Sequence, residues 1–236
     1  MKPHYFKRFN SISLNYLYTD KHMHSTWTDG KGTVLQMAEK AKELGLKQIA
    51  FVDHVREDSA YFTQYCKEIK AVCKKINIDI LAGCEMKIKN FQGDIDIPKD
   101  VMKNAELKVV SVHRFPLGRK LYQPNELNKR ICQEVELELS IAAIRNKRFD
   151  VLGHPGGMSL MAYREFPLEF FEEIILECQK NDIVFELNSF YHVLVLKDLK
   201  TLLSRHNAFV SFGSDAHRIE EIEESINILK RVITDE

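Results

Sequence analysis

Hydrophobic and polar positions along the chain follow two rhythms. Seven short runs dense in β-branched and aromatic residues, at 16–21, 48–53, 78–83, 108–113, 150–154, 183–187 and 208–213, read as buried strands. Between them the apolar spacing changes to three and four. Val34, Ala38 and Ala41 share one helical face, and Thr33 with Gln36 has the form of a capping box. Ile131, Val135, Leu139 and Ala142 mark a long helix opened by Asn125. Phe171, Ile174, Ile175 and Cys178 mark another, with Pro167 in its first turn. A last helix carries Ile222, Ile226, Leu229 and Ile233. Its acidic start (Glu220, Glu221, Glu223, Glu224) and basic end (Lys230, Arg231) complement the helix dipole.

A strand followed by a crossover, seven times over, implies an α/β fold with a parallel sheet and right-handed connections. An open doubly wound sheet and a closed barrel both satisfy that pattern. In either, function sits at the C-terminal ends of the strands. No repeat, low-complexity tract or linker divides the chain, so 20–236 forms one domain. Residues 1–19 precede the first motif as an N-terminal extension without a place in the pattern. The stretch 86–106, with alternating Ile95 and Ile97, reads as a strand pair or a lid.

Bulk composition narrows the partners. The 236 residues suffice for one sizeable core. Thirty-four basic residues balance thirty-four acidic ones, whereas a duplex binder needs a basic excess to displace counterions. No apolar run approaches the ~20 residues that span a bilayer, and the basic, aromatic first ten residues lack the form of a secretory signal. The five cysteines include no CxxC pair and leave one over, which points to reduced thiols in a cytoplasmic protein.

The chemistry collects at the strand ends. Six of nine histidines end or closely follow an expected strand: His22 and His24, His54, His113, His154 and His217. Glu85 and Asp215 occupy equivalent places. Residues two apart on a strand point the same way, so His22 and His24 can face one ion. Asp215 and His217 repeat the spacing at the last strand, and only a closed barrel makes first and last strands neighbours. Mixed imidazole and carboxylate donors suit zinc, manganese or iron. His4 and His206 carry no such signal, and His192 reads as a surface loop residue.

The ordered motifs DKHMHSTWTDG, FVDH, GCE, SVH, GHP, ELN and GSDAH, spanning Asp20 to about Arg231, closely resemble the polymerase and histidinol phosphatase (PHP) superfamily. The resemblance implies a single-domain, distorted (β/α)7 barrel of TIM-like form, with two or three divalent metals and hydrolysis of phosphate esters. It also implies a ligand set. One metal would take His22, His24, Glu85 and Asp215, with Glu85 bridging to a second held by His113 and His154. A third would take Asp29, His54 and His217. Amidohydrolase barrels also open with HxH, but they normally use a lysine on a middle strand where this chain has Glu85.

Metal-bound hydroxide is then the expected nucleophile, with Asp215, Glu85 and His217 as catalytic residues and Asp215 or a histidine accepting the proton. Substrate contacts are expected from Arg114, Arg119, Arg218 and Asn188, since arginine grips phosphate bidentately. Lys120 and Arg164 lie in the same loops, and Trp27 and Tyr163 stand either in the pocket wall or in the core. The leading expectation is a phosphatase for a small phosphorylated substrate, histidinol phosphate being the family's suggestion. A nucleotide or oligonucleotide phosphoesterase is the second reading, and a non-catalytic metal-binding domain the third. The oligomeric state stays open.

Overall fold

The computed structural model describes residues 5–234, without the side chains of 224, 225 and 231–234. The expectations for His4, Glu224, Arg231 and Ile233 therefore lie outside the described residues. The parallel strands are β2 (Thr19–Met23), β3 (Gln48–Phe51), β4 (Asp79–Lys87), β5 (Leu107–Ser111), β8 (Val151–Leu152), β9 (Val184–Asn188) and β10 (Phe209–Gly213). A short β1 (Lys7–Arg8) lies antiparallel on β10, and β6 (Phe115–Leu117) with β7 (Lys120–Tyr122) forms a separate hairpin. The sheet order is β1-β10-β9-β8-β5-β4-β3-β2.

The sheet curls until its first and last parallel strands face each other. Above, the seam closes where the Asp215 amide donates to the His22 carbonyl (2.8 Å) and the His24 amide to the Ala216 carbonyl (2.9 Å). Below, β1 fills the gap on the β10 side, with Lys7 opposite Val210 and Arg8 opposite Phe209. This is the expected seven-stranded barrel, distorted because no ladder joins β2 to β10 and the isolated bridge at the seam, Met23 with Ala216, lies beyond the end of β10.

Residues 5–18, unplaced by pattern, make the barrel floor. Phe6 is buried in the interior with Ala50, Val52, Leu107, Val109, Val151 and Val184. Fully burying one such side chain stabilises by roughly 1.5–3 kcal/mol. Two 3-10 turns, Phe9–Ser11 and Leu14–Leu17, carry Phe9, Tyr16 and Leu17 into the main core, and the Tyr16 hydroxyl donates to the Val210 carbonyl (2.8 Å).

Among the described residues, eight helices surround the strands: α1 (Val34–Glu43), α2 (Phe62–Ile76), α3 (Lys99–Asn104), α4 (Lys129–Asn146), α5 (Gly157–Tyr163), α6 (Leu168–Asn181), α7 (Leu196–His206) and α8 (Ile219–Thr234). The Thr33–Gln36 capping box forms as its spacing implies. The long helix, however, starts after Asn128, whose side chain accepts from the Ile131 amide (3.0 Å). Asn125 sits instead in a 3-10 turn, because Pro124 fixes the backbone ahead of it. The buried stripe of α4 is consequently rotated to Cys132, Val135, Leu139 and Ala143, leaving Ile131 at the surface.

The stretch 86–106 opens as a short antiparallel pair, the Asp96 amide donating to the Lys87 carbonyl (3.1 Å) and the Lys89 amide to the Asp94 carbonyl (2.8 Å). β4 runs on to Lys87, an isolated bridge joins Ile88 to Ile95, and α3 follows. All five cysteines are free. Among the described residues no helix is long and apolar enough to cross a membrane.

Candidate metal centre

The nine expected ligands converge at the C-terminal mouth of the barrel. Glu85, buried near the end of β4, is the hub. His54 Nδ1 lies 2.9 Å from its Oε2. His154 Nε2 (3.1 Å), His113 Nε2 (3.4 Å) and His22 Nε2 (3.5 Å) lie against its Oε1. Asp215 Oδ1 meets His24 Nε2 at 3.0 Å and His22 Nε2 at 3.2 Å. Asp29 stands between His54 (3.3 Å) and His217 (3.4 Å), about half exposed, so this corner opens to solvent.

The donors fall into four overlapping groups: His24, Asp29, His54 and His217; His22, His24 and Asp215; His22, Glu85 and His154; and His54, Glu85 and His113. The grouping differs from the expected one: Glu85 stands outside the His22, His24 and Asp215 group, and His54 also joins Glu85 and His113. His24 also joins the Asp29 corner, and His113 and His154 fall in separate groups that share Glu85.

Whether these residues fit metals is tested by their unmet polar atoms. His22 Nε2, both His24 nitrogens, His154 Nδ1 and Glu85 Oε2 are buried without a hydrogen-bond partner. A buried polar group left so costs about 1–3 kcal/mol. Four of these atoms nevertheless lie within 4 Å of a carboxylate or imidazole partner, at distances suited to a shared central ion. Nitrogen and oxygen donors at such spacing fit first-row divalent ions.

Electrostatics say the same. Burial would raise the Glu85 carboxyl, but His113 and His22 outweigh it and hold its pKa well below the usual range. Asp215 is likewise depressed, burial being overcome by the His22 and His24 rings beside it. Burial pushes His54 down, yet Asp29 and Glu85 carry it up to about 10; His217, through Asp29 and Asp215, reaches about 9. Protons here supply the positive charge that a cation would replace.

Several further residues support the ligands, among them Glu186 of the ELN motif and Asp53 of FVDH, to which the sequence assigns no role. Glu186 on β9 is fully buried. One oxygen meets His22 Nδ1 at 2.8 Å, and the other accepts from the His154 amide at 2.7 Å. Gly213 is required beside it, since a Cβ there would sit 2.4 Å from Glu186 Oε1. The second bond helps hold His154 at φ +29°, an unfavourable value for a non-glycine residue. Asp53 accepts from the Ser25 amide (3.0 Å), the Ser25 hydroxyl (2.8 Å) and the Thr28 hydroxyl (2.8 Å), pinning the loop that presents Asp29. Tyr191 stacks on His154 with ring centroids 4.3 Å apart and hydrogen-bonds Asp215. The polar residues Glu186 and Asn188 in a buried strand were the readable signal for the first of these.

Two clefts flank the centre and share Asp29 and Tyr191 as a wall. One, of ≈ 340 Å³, is lined by Arg56, Arg114 and Met161 beside His54, Glu85 and His113. The other, of ≈ 610 Å³, is lined by Lys31, Phe190, Val193 and Arg218 beside Asp215 and His217. Arg114 and Arg218 thus each line a cleft beside the centre. Arg119 does not: it is exposed at the turn of the β6–β7 hairpin and lines neither cleft. Asn188 is also misplaced for substrate, because it is buried and its amide serves Glu186, Phe190 and Tyr191 in shaping the turn.

His192 is buried, not a surface residue. It accepts from the Asn188 amide (3.1 Å) and donates to the Pro155 carbonyl (2.8 Å), and burial lowers it to about 4. Trp27 and Tyr163 belong to the packing around the site: Trp27 stacks on Tyr61 and donates to Glu68, and Tyr163 donates to the Leu127 carbonyl. Lys120 is paired with Glu126, and Arg164 lines neither cleft.

Fold and site together define a (β/α) barrel with a cluster of histidines and carboxylates at its mouth that could hold divalent metal. The chain belongs to the PHP domain family, whose model matches residues 20–190. It is 26% identical over 224 residues to a probable phosphatase of Clostridium novyi, covering 86% of this chain and 84% of that protein. It is 28% identical over 225 residues to the DNA polymerase/3'-5' exonuclease PolX of Bacillus subtilis, covering 90% of this chain but 36% of PolX. Among solved structures it resembles the histidinol phosphate phosphatase of Lactococcus lactis, complexed with zinc, L-histidinol and phosphate. That match has a TM-score of 0.74 at 20% identity, with 92% of each chain covered.

Proposed function

We propose that this protein is a metal-dependent phosphoesterase acting on small phosphate monoesters, with two or three divalent ions, zinc, manganese or iron, at the barrel mouth. The observation that carries the reading is the set of buried, unpartnered donor atoms around Glu85 and Asp215. Similarity along most of the chain to a probable phosphatase supports it. So does the likeness in fold to a histidinol phosphate phosphatase that holds zinc and phosphate.

His22, His24, Asp29, His54, Glu85, His113, His154, Asp215 and His217 would hold the ions, with Glu85 shared between them. Bound divalent ions would lower the pKa of water toward neutrality and neutralise charge building on the phosphate. The chain's own residues do the rest. Glu186 fixes the His22 ring so that Nε2 faces the centre. Arg114 and Arg56 present guanidinium groups to phosphate oxygens from the smaller cleft. Asp215, with one oxygen against His22 and His24, or a histidine of the cluster would take the proton from an attacking water. Tyr191, largely buried between the clefts, keeps bulk water from the His154 side of the site.

The test is elemental analysis of the purified protein beside a screen of phosphorylated metabolites, nucleotides and short oligonucleotides with Mn²⁺ or Zn²⁺ added. Two or three ions per chain with turnover of small monoesters is the expected result. Cleavage of oligonucleotides alone would favour a nuclease instead, the reading to which similarity to PolX lends support. Protein that takes up no metal and turns nothing over would sink both.

A further inference from the structure

The two clefts differ in what they can bind. The smaller carries Arg56 and Arg114, and among the described residues neither side chain is paired with a carboxylate; Lys87 there is paired with Asp96 at 3.2 Å. The larger carries Lys31 and Arg218, also without carboxylate partners among the described residues. Its one further acid beyond the ligand set, Glu221, already accepts from the His217 amide (2.7 Å) and the Arg218 amide (2.9 Å). One phosphoryl group needs the metals and one set of cations. Unpaired cations on both sides of the centre exceed that need.

The larger cleft also has an apolar lip. Phe190 is 63% exposed and meets Tyr191 edge-on at 5.0 Å, with Val193 at 52% exposed beside it. Solvent-exposed aromatic and aliphatic side chains lining a concave site offer a face for a flat ring. The paired arginines of the smaller cleft match phosphate oxygens better than the lysine and single arginine opposite. The phosphoryl group is therefore assigned to the smaller cleft and the leaving group to the larger.

We infer that the substrate is a phosphate monoester whose leaving group carries both a flat ring, for Phe190, and a second anionic group, for Lys31 and Arg218. This rests on the phosphomonoesterase reading above. The same cations oppose a leaving group that bears an ammonium, so an amino alcohol ester such as histidinol phosphate is disfavoured here.

The experiment compares kcat/KM of the metal-loaded enzyme for three aryl esters: phenyl phosphate, 4-carboxyphenyl phosphate and 4-(aminomethyl)phenyl phosphate. The carboxylated ester is expected to lead the aminomethyl one by about tenfold, within the scale of two solvent-exposed charge contacts. In Lys31→Ala/Arg218→Ala that ratio should collapse toward one, and in Arg218→Glu it should invert. Taking each ratio within one enzyme form cancels any general loss from the substitution. Phe190→Ala should raise KM for all three. Equal use of the three esters by the wild-type enzyme, or a preference for the aminomethyl ester or histidinol phosphate, would overturn the inference while leaving phosphatase activity standing. No turnover of any ester by metal-loaded protein would overturn the phosphomonoesterase reading and this inference with it.

Discussion

The two ends of this barrel follow opposite rules. At the floor, Phe6 packs among Ala50, Val52, Val109, Val151 and Val184, the Tyr16 hydroxyl donates to the Val210 carbonyl, and the buried Lys21 ammonium, which has no hydrogen-bond partner, lies over the Tyr16 ring at 4.6 Å. At the mouth, five buried donor atoms lack partners, and His154 and Asp215 occupy positive φ. Natural chains stay locally consistent where stability is at stake and break consistency where chemistry is placed. The floor supports the mouth, since β1 and the two 3-10 turns hold together the strands that bring His22 beside Asp215.

The contrast can be broken from either end. Asp215→Ala or His22→Ala should lower hydrolysis by at least about 10²–10³-fold with the far-ultraviolet circular dichroism and Tm near wild type; wild-type activity in either would remove the site assignment. Phe6→Ala should do the reverse, costing about 3–5 kcal/mol of stability in a denaturant titration while metal stoichiometry of the folded fraction holds. Loss of metal at unchanged stability would show the floor to be part of the site.

Glu186→Gln sharpens the border between support and chemistry. A carboxylate accepts on both oxygens, toward His22 and toward the His154 amide, whereas an amide has one acceptor. Metal affinity should drop about 10–100-fold by calorimetric titration, with little change in Tm. Unchanged affinity would reduce Glu186 to packing.

The metal-free protein should also show the mouth's electrostatics. His54 and His217, raised to about 10 and about 9 when folded, stabilise fully below their unfolded value near 6.5. That contribution disappears as pH rises through 9 and 10. The depressed Glu85 and Asp215 work the other way, and their contribution is lost as pH falls below about 4.5. Metal-free Tm should therefore be greatest between these limits and decline toward pH 10. Metal loading at pH 7 should release protons, and a loading enthalpy independent of buffer ionisation would contradict it. Smallest of all, Arg114→Ala should raise KM roughly fivefold with kcat little changed. A wild-type KM would take Arg114 out of phosphate binding.

Much of this was legible in the chain. Strands betray themselves by short β-branched runs, and donors at their ends were countable because strand ends are where a parallel barrel puts its site. The sequence reading missed what depends on long-range packing. Lys7 and Arg8 carry no strand pattern, and their pairing exists only because β10 arrives beside them. The regular apolar stripe of α2 (Phe62, Tyr65, Ile69, Val72, Ile76) was readable but went unread between two stronger strands. His192 looked like a loop residue because nothing local shows that Pro155 and Asn188 close around it. Arg119 looked like a phosphate clamp because sequence distance from His113 does not reveal a hairpin that carries it outward.

The seam also has a meaning for synthesis. Lys7 and Val210, like His22 and Asp215, meet across nearly the whole length of the protein. A growing chain therefore holds most of its helices and seven of its nine donors long before it can close the ring. Contacts of such long sequence separation form late. Until residues 209–217 leave the ribosome, the first and last donor pairs are apart, and a prematurely released fragment lacks the donor set that Asp215 completes. Closure and metal competence thus arrive together, and metal uptake by a nascent chain would time the last step of its folding.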